Sequence, residues 1–189
     1  MMKINIENES GKLKAVVLGI ATDFGGTPKA EDCYDPKSRA HVKAGTFPTN
    51  KSCVIEINAL VNIFEKYDIE VFRPKNIKGL NQIFSRDIAF AISDKLVIPN
   101  IIEDRIKEAD AIADVINKIA SEDIIKMPLS TRAEGGDVMP WNECVFVGYS
   151  EKEDFEKYTV ARTNRSALDF LTLTFPSKIV KGFELNKSD

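Results

Sequence analysis

Two acidic residues stand where a carboxylate can do chemistry. Asp87 closes the tetrapeptide Phe84-Ser85-Arg86-Asp87 and Glu134 opens Glu134-Gly135-Gly136-Asp137, each at the start of an apolar, strand-like run. Two carboxylates converging on one point suit a cation. The natural partner is a guanidinium, which is planar, permanently charged and rich in donors, so that carboxylates can hold it bidentately and fix its plane for attack on its carbon. A primary amine would use that geometry poorly. Gly135 and Gly136 give a tight turn and let backbone pass close to a ligand or a neighbour, and Asp137 is read as the support of that turn.

Candidate nucleophiles and proton carriers are few. Cys33, Cys53 and Cys144 match no CxxC spacing and leave one thiol unpaired in any disulfide scheme, which points to reduced thiols and to no metal. Cys53 opens an apolar helical face and Cys144 a core-type strand, so both are expected to be buried packing residues, leaving Cys33 as the exposed thiol. His41, the only histidine, lies between Arg39 and Lys43 and is read as a solvated loop residue. Gly25-Gly26 lacks the strand-to-helix context of a phosphate cradle. No cofactor is implied.

These residues need elements to place them. The run AVVLGI at 15–20 predicts a buried strand. A long polar stretch at 21–50, dense in glycine and proline, predicts a loop that serves as a lid. Val54, Ile57, Leu60, Val61 and Phe64 recur at helical spacing, and Ile69 to Phe72 reads as a strand. A hairpin follows, with arms at 88–92 and 95–98, then a helical face of Ile102, Ile106, Ala109, Ile112, Ala113, Ile116 and Ile119, then a strand opening at Ile124. The order returns with arms at 137–139 and 144–147 around Trp141-Asn142-Glu143, a helix through Ala167, Phe170 and Leu171, and a strand from Lys178 to Phe183. Phe90 and Trp141 are expected on the sheet faces.

The repeat has a period. Asp87 and Asp137 are 50 positions apart, and the strands opening at Ile69, Ile124 and Lys178 are separated by 55 and 54. Periods of this size suggest radial or stacked α/β units that bury their faces against one another, the first unit matching least well. In that arrangement equivalent strand ends converge, bringing Asp87 and Glu134 towards one ligand.

The ordered series Phe-Ser-Arg-Asp at 84–87, Glu-Gly-Gly-Asp-Val at 134–138, a strand ending in Phe-Val-Gly-Tyr-Ser, and Arg162-Thr163-Asn164 resembles that of arginine deiminases, dimethylarginine hydrolases and amidinotransferases, the guanidine-modifying (pentein) superfamily. The long stretch between the last two motifs, with the 19–49 loop, looks more like the amidinotransferase branch. The resemblance implies a pentein-type α/β propeller, a fan of strand-hairpin/helix/strand units of which about three would fit in residues 1–189 as one partial domain. It also implies roles: Asp87 and Glu134 as the catalytic-site carboxylates holding the substrate guanidinium, Phe84 lining the slot, and Arg162 pairing the substrate carboxylate. Family chemistry transfers an amidino group from L-arginine to an amine through a cysteine adduct, with a histidine moving protons. The family's His-x-Asp motif and its late cysteine have no counterpart here, so the chain alone is expected to be inactive; a noncatalytic guanidine-binding or scaffold protein and a deiminase-type fragment are the alternatives.

The remaining composition bounds partners. Lys plus Arg number 26 against 29 Asp plus Glu, a net charge of −3 with the basic residues dispersed, so no nucleic-acid footprint exists. The segment EKEDFEKY at 151–158 is read as a solvated face. With no signal-like or membrane-length apolar run, a cytoplasmic protein with a small guanidino substrate such as arginine, and no membrane partner, is expected. An incomplete fan would expose sheet edges and apolar flanks, which predicts a homo-oligomer.

Overall fold

The strands form where the sequence alternates or clusters β-branched residues, and their order repeats. A computed structural model of the chain describes residues 1–33, 36–150 and 162–185; the segment at 151–158 lies outside them. β1 (Ala15–Val17) pairs in parallel with β2 (Glu70–Phe72), giving the two-stranded sheet of the first unit. Between them run α1 (Pro36–Ala44) and α2 (Asn50–Lys66). The expected loop at 21–50 therefore contains a helix, one whose sequence PKSRAHVKA has no apolar stripe to announce it.

Thr49 caps α2 reciprocally with Ser52, which fixes where the helix begins. Cys53, Val54, Ile57, Val61 and Phe64 face inward, yet no residue of α2 is fully buried and Leu60 is exposed, because a two-stranded sheet is too narrow to cover the helix.

The second and third units share one topology. After a single helical turn, α3 (Ser85–Ile88), the antiparallel hairpin of β3 (Phe90–Ile92) and β4 (Lys95–Ile98) is joined in parallel by β5 (Ile124–Lys126). Likewise β6 (Val138–Trp141) and β7 (Cys144–Tyr149) form a hairpin joined in parallel by β8 (Ile179–Glu184). The hairpins turn at Ser93 and Asn142, both at positive φ. In each unit the strand expected at its start yields to a short helical segment: Asp87 and Ile88 lie in α3, and Gly135–Asp137 form a 3-10 turn.

The apolar run at 102–119 is not one helix. It divides into a 3-10 turn (Glu103–Arg105), α4 (Ile106–Asp110) and α5 (Ala113–Ile116). Ile106, expected inside, is 54% exposed, whereas Arg105 and Glu108 are buried. A tightly paired guanidinium and carboxylate have taken the inward positions, and hydrogen-bonding needs of buried charge override apolar periodicity.

The main core lies between the second and third sheets and under α6 (Arg165–Thr174), with Ile92, Val97, Val138, Val145, Val147 and Leu171 fully enclosed. Each such side chain contributes about 1.5–3 kcal/mol by leaving water. Asn164 caps α6. A second cluster of Ile88, Ile101 and Ile112, with Val17 packed on it, joins the first unit to the second. The N-terminal segment crosses the hairpin turns: Met2 donates to Lys118, Ile6 bridges to Ser93, and Glu7 accepts from the Asn142 amide while ion-pairing with Lys178. Phe90 is buried as expected; Trp141 is half exposed, and Ile179 and Phe183 stand exposed on the outer strand β8.

Candidate functional site

The site is assembled where α3 of the second unit meets the 3-10 turn of the third. Ser85 Oγ donates to the Val17 carbonyl at 3.0 Å, which fastens α3 to β1. Arg86 crosses to the next unit, donating to the carbonyls of Gly135 (3.1 Å) and Val138 (2.8 Å) and pairing with Glu9. At Gly135 a Cβ would lie 2.0 Å from the Arg86 carbonyl oxygen, and at Gly136 2.7 Å from Asp87 Oδ1. The two glycines thus let the turn carrying Glu134 rest directly on the turn carrying Asp87.

The carboxylates expected to converge do so, on a guanidinium of the chain itself. Arg105 Nη1 lies 2.7 Å from Asp87 Oδ2 and 3.6 Å from Glu134 Oε1. Its Nε and Nη2 donate to the two oxygens of Glu108 at 2.8 and 2.7 Å, and Nη2 also to the Phe84 carbonyl at 3.2 Å. The Arg105 and Glu108 side chains are 4% and 5% exposed, Asp87 23%. Burial alone would lower the Arg105 pKa, but hydrogen bonds and charge from Glu108 raise it, so the guanidinium stays protonated. Burial pushes the Glu108 carboxyl up, and the hydrogen bonds and charge of Arg105 pull it only part of the way back.

Arg162 sits on the other side of Glu134, its Nη1 2.9 and 2.8 Å from the two carboxylate oxygens. Its backbone amide donates to Asp137 Oδ2 (3.0 Å), as does the Thr163 hydroxyl (2.8 Å). Asn164 accepts from the amides of Arg132 and Ala167, so the Thr-Asn part of the motif is architectural. Phe84 precedes α3 with its side chain at the rim, 56% exposed. Arg105 and Glu108 escaped the sequence reading; the available signal was a charged Arg-x-x-Glu pair interrupting an isoleucine-rich helical run.

Among the described residues, the six side chains Asp87, Glu108, Glu134, Asp137, Arg105 and Arg162 form this network. Burial pushes the Asp137 carboxyl up to about 6, against the pull of Thr163 and the Arg162 amide. Since this folded value exceeds the ordinary 3.8, the folded chain binds the proton more tightly. The resulting stability is fully present below the ordinary value and is lost as pH rises through about 6. About 2 kcal/mol is expected to disappear over that window, allowing for partial exposure of the group. Urea denaturation at stepped pH should show this fall in the natural chain and a flatter profile in Asp137→Asn.

The thiols lie elsewhere. Cys33 is buried at 5% exposure and donates to the Lys29 carbonyl, while Cys53 and Cys144 are only half buried. This reverses the sequence expectation for Cys33, which turns inward to the Lys29 carbonyl, while the narrow first sheet leaves Cys53 partly open. His41 is exposed, its Nδ1 2.9 Å from Thr46 Oγ1. An open cavity of about 390 Å³ between Glu7, Asn142 and Lys178 lies at the hairpin turns, away from the carboxylates. No described helix is long and apolar enough to cross a membrane.

The fold built around this network is similar to that of solved amidinotransferases, a dimethylarginine dimethylaminohydrolase and an arginine dihydrolase. No family model matches the sequence, and no curated protein matches it. Among solved structures, an amidinotransferase of the saxitoxin biosynthetic pathway from Microseira wollei superposes with a TM-score of 0.71 at 15% identity, over 96% of this chain and 62% of that one. Inosamine-phosphate amidinotransferase from Streptomyces griseus gives 0.67 at 14%, over 95% and 62%. A dimethylarginine dimethylaminohydrolase (DDAH) from Pseudomonas aeruginosa, complexed with citrulline, gives 0.67 at 15%, over 94% and 63%. The chain spans less than two thirds of the length of these proteins.

Proposed function

We propose that this chain supplies the guanidinium-holding part of an amidino-group-handling site of the amidinotransferase kind, with L-arginine or a related guanidino compound as its ligand. One observation carries the reading: Asp87 and Glu134, from consecutive units, meet at a single guanidinium nitrogen, that of Arg105. A guanidinium satisfies paired carboxylates with directed donors where an ammonium would offer a point charge. In this reading Asp87 and Glu134 orient the guanidinium plane, Phe84 covers one face, and Arg162 presents positive charge towards a ligand carboxylate.

Amidine transfer also needs a thiolate and a proton carrier within reach of the guanidinium carbon. None of the three cysteines takes part in the six-residue network, so those groups are assigned to the portion of the fold that the chain does not span. The similarity to transferases and to a hydrolase alike supports the guanidino ligand; the transferase branch rests on the long stretch before Arg162.

Calorimetric titration of the folded chain with L-arginine tests this. Saturable heat is expected, absent with L-lysine and lost in Asp87→Ala. A folded chain that gives no heat with arginine overturns the reading.

A further inference from the structure

One guanidinium outside the network is left without an answering charge. Arg73 directly follows β2 and is half-buried; its Nη2 donates to the Gly19 carbonyl at 3.1 Å, while its Nε is shut off from water with no hydrogen-bond partner. Arg86, Arg105, Arg162 and Arg165 each stand on a carboxylate, whereas Arg73 has none among the described residues. Burial lowers its pKa and no neighbouring charge opposes that, yet a guanidinium keeps its proton. We infer that Arg73 is an anion-binding subsite on the first unit's side of the slot, where it takes the carboxylate or phosphate group of a small ligand. It stands apart from the Asp87–Glu134 pair and does not depend on what that pair holds.

The strand ends fix where the subsite lies. β1 and β2 run in parallel up to Val17 and Phe72, and the Leu18 amide continues the ladder to the Phe72 carbonyl, which places Arg73 beside Leu18 and Gly19. On the other side of β1, Ile20 bridges to Gln82, and a Cβ at Gly19 would lie only 2.0 Å from the Ile83 carbonyl oxygen. Arg73 is therefore two strand spacings, about 10 Å, from the segment that leads into Phe84 at the rim. Arg162 borders the same region from the third unit.

The surroundings hold Arg73 ready. Gln82 is buried, and its side chain ties the 75–82 connection by donating to the Lys75 carbonyl and accepting from the Ile77 amide. Ile20, Ala21 and Phe24 are buried beyond the end of β1. A charge partly withdrawn from water beside apolar groups, with one donor unpaired, is unfavourable for the fold by itself. An anion that accepts from Nε and a terminal nitrogen together would satisfy both the charge and the orphaned donor.

Two variants of the full chain separate this role from bracing. Arg73→Met keeps most of the volume and removes the charge; Arg73→Lys keeps the charge and loses the forked donors. Inorganic phosphate, followed by phosphorus NMR, and acetate, followed by proton NMR, are titrated at constant ionic strength into samples shown by circular dichroism to be folded. Saturable binding of at least one anion is expected in the natural chain, about tenfold or more weaker in Arg73→Met and intermediate in Arg73→Lys. Which anion binds tells a phosphate site from a carboxylate site. Urea denaturation without added anion gives the second readout: the midpoint of Arg73→Met should equal or exceed that of the natural chain, because an uncompensated charge has been removed.

Anion binding of equal strength in Arg73→Met, or in neither chain, overturns the proposal, as does a lower urea midpoint for Arg73→Met in the absence of selective binding, which would make Arg73 a brace for Gly19. If Arg73→Met fails to fold, phosphate or acetate binding as tight in Arg73→Lys as in the natural chain overturns it in the same way. None of these measurements uses the Asp87–Glu134 pair, so a failed arginine titration and a failed anion titration are told apart.

Discussion

Gly135→Ala should destabilise the chain by about 3 kcal/mol or more and abolish arginine binding with it. The added methyl would lie 2.0 Å from the Arg86 carbonyl oxygen and 3.2 Å from that of Ala89, and both obstacles are backbone. The turn and α3 would have to part, which also breaks the Arg86 bonds to Gly135 and Val138. Gly136→Ala provides the comparison. Its methyl meets only the end of the Asp87 side chain, at 2.7 Å, which can rotate away, so stability should change little while ligand affinity falls. Urea midpoints and arginine titrations on the two variants separate them; equal stability losses would show that the contact between the units is softer than its geometry states.

Glu134→Gln should cost about 3 kcal/mol. The substituted amide would keep the shape and remove the one carboxylate that faces both guanidinia, 2.8 Å from Arg162 and 3.6 Å from Arg105. The backbone would be undisturbed, since the Glu134 amide N–H is held independently by Thr163 Oγ1 at 3.3 Å. The loss is therefore electrostatic, and it should shrink in the double variant Glu134→Gln with Arg162→Gln. Urea denaturation of the single and double variants reads both effects. A loss of stability below about 1 kcal/mol, the level of an exposed pair, would mean that water screens this pair despite its burial.

Local chemistry made part of this architecture legible. Hairpins, parallel closing strands and α6 follow from β-branched runs, turn residues and apolar spacing, and the recurrence of Asp87 and Asp137 ahead of their hairpins marked the repeat. Elements whose sequence carries no apolar stripe stayed hidden, as α1 did. The harder failure concerned residues 102–119. Periodicity there counts isoleucines and treats Arg105 and Glu108 as interruptions, whereas in the fold they are the interior and Ile106 is outside. What turns them inward is Asp87, 18 positions earlier, and Glu134, on the next unit; no local window contains both. The site was similarly half visible. Convergence of Asp87 and Glu134 could be inferred from equivalent positions in a repeat, but the guanidinium already held between them could not, because pairing partners are set by tertiary approach.

The segment that spans the hairpin turns sets the order in which these units can be finished. Residues 2–8 leave the ribosome ahead of all their partners; Ser93, Lys118, Asn142 and Lys178 follow progressively later, the last of them 171 positions after Glu7. Contacts of such sequence separation cost loop-closure entropy before they return any stabilisation. During synthesis Met2 and Ile6 find partners once the second unit exists, whereas Glu7 and Asn8 wait for the third. Completion of the third unit is thus recorded far upstream of it, where residues made early are among the last to find their positions.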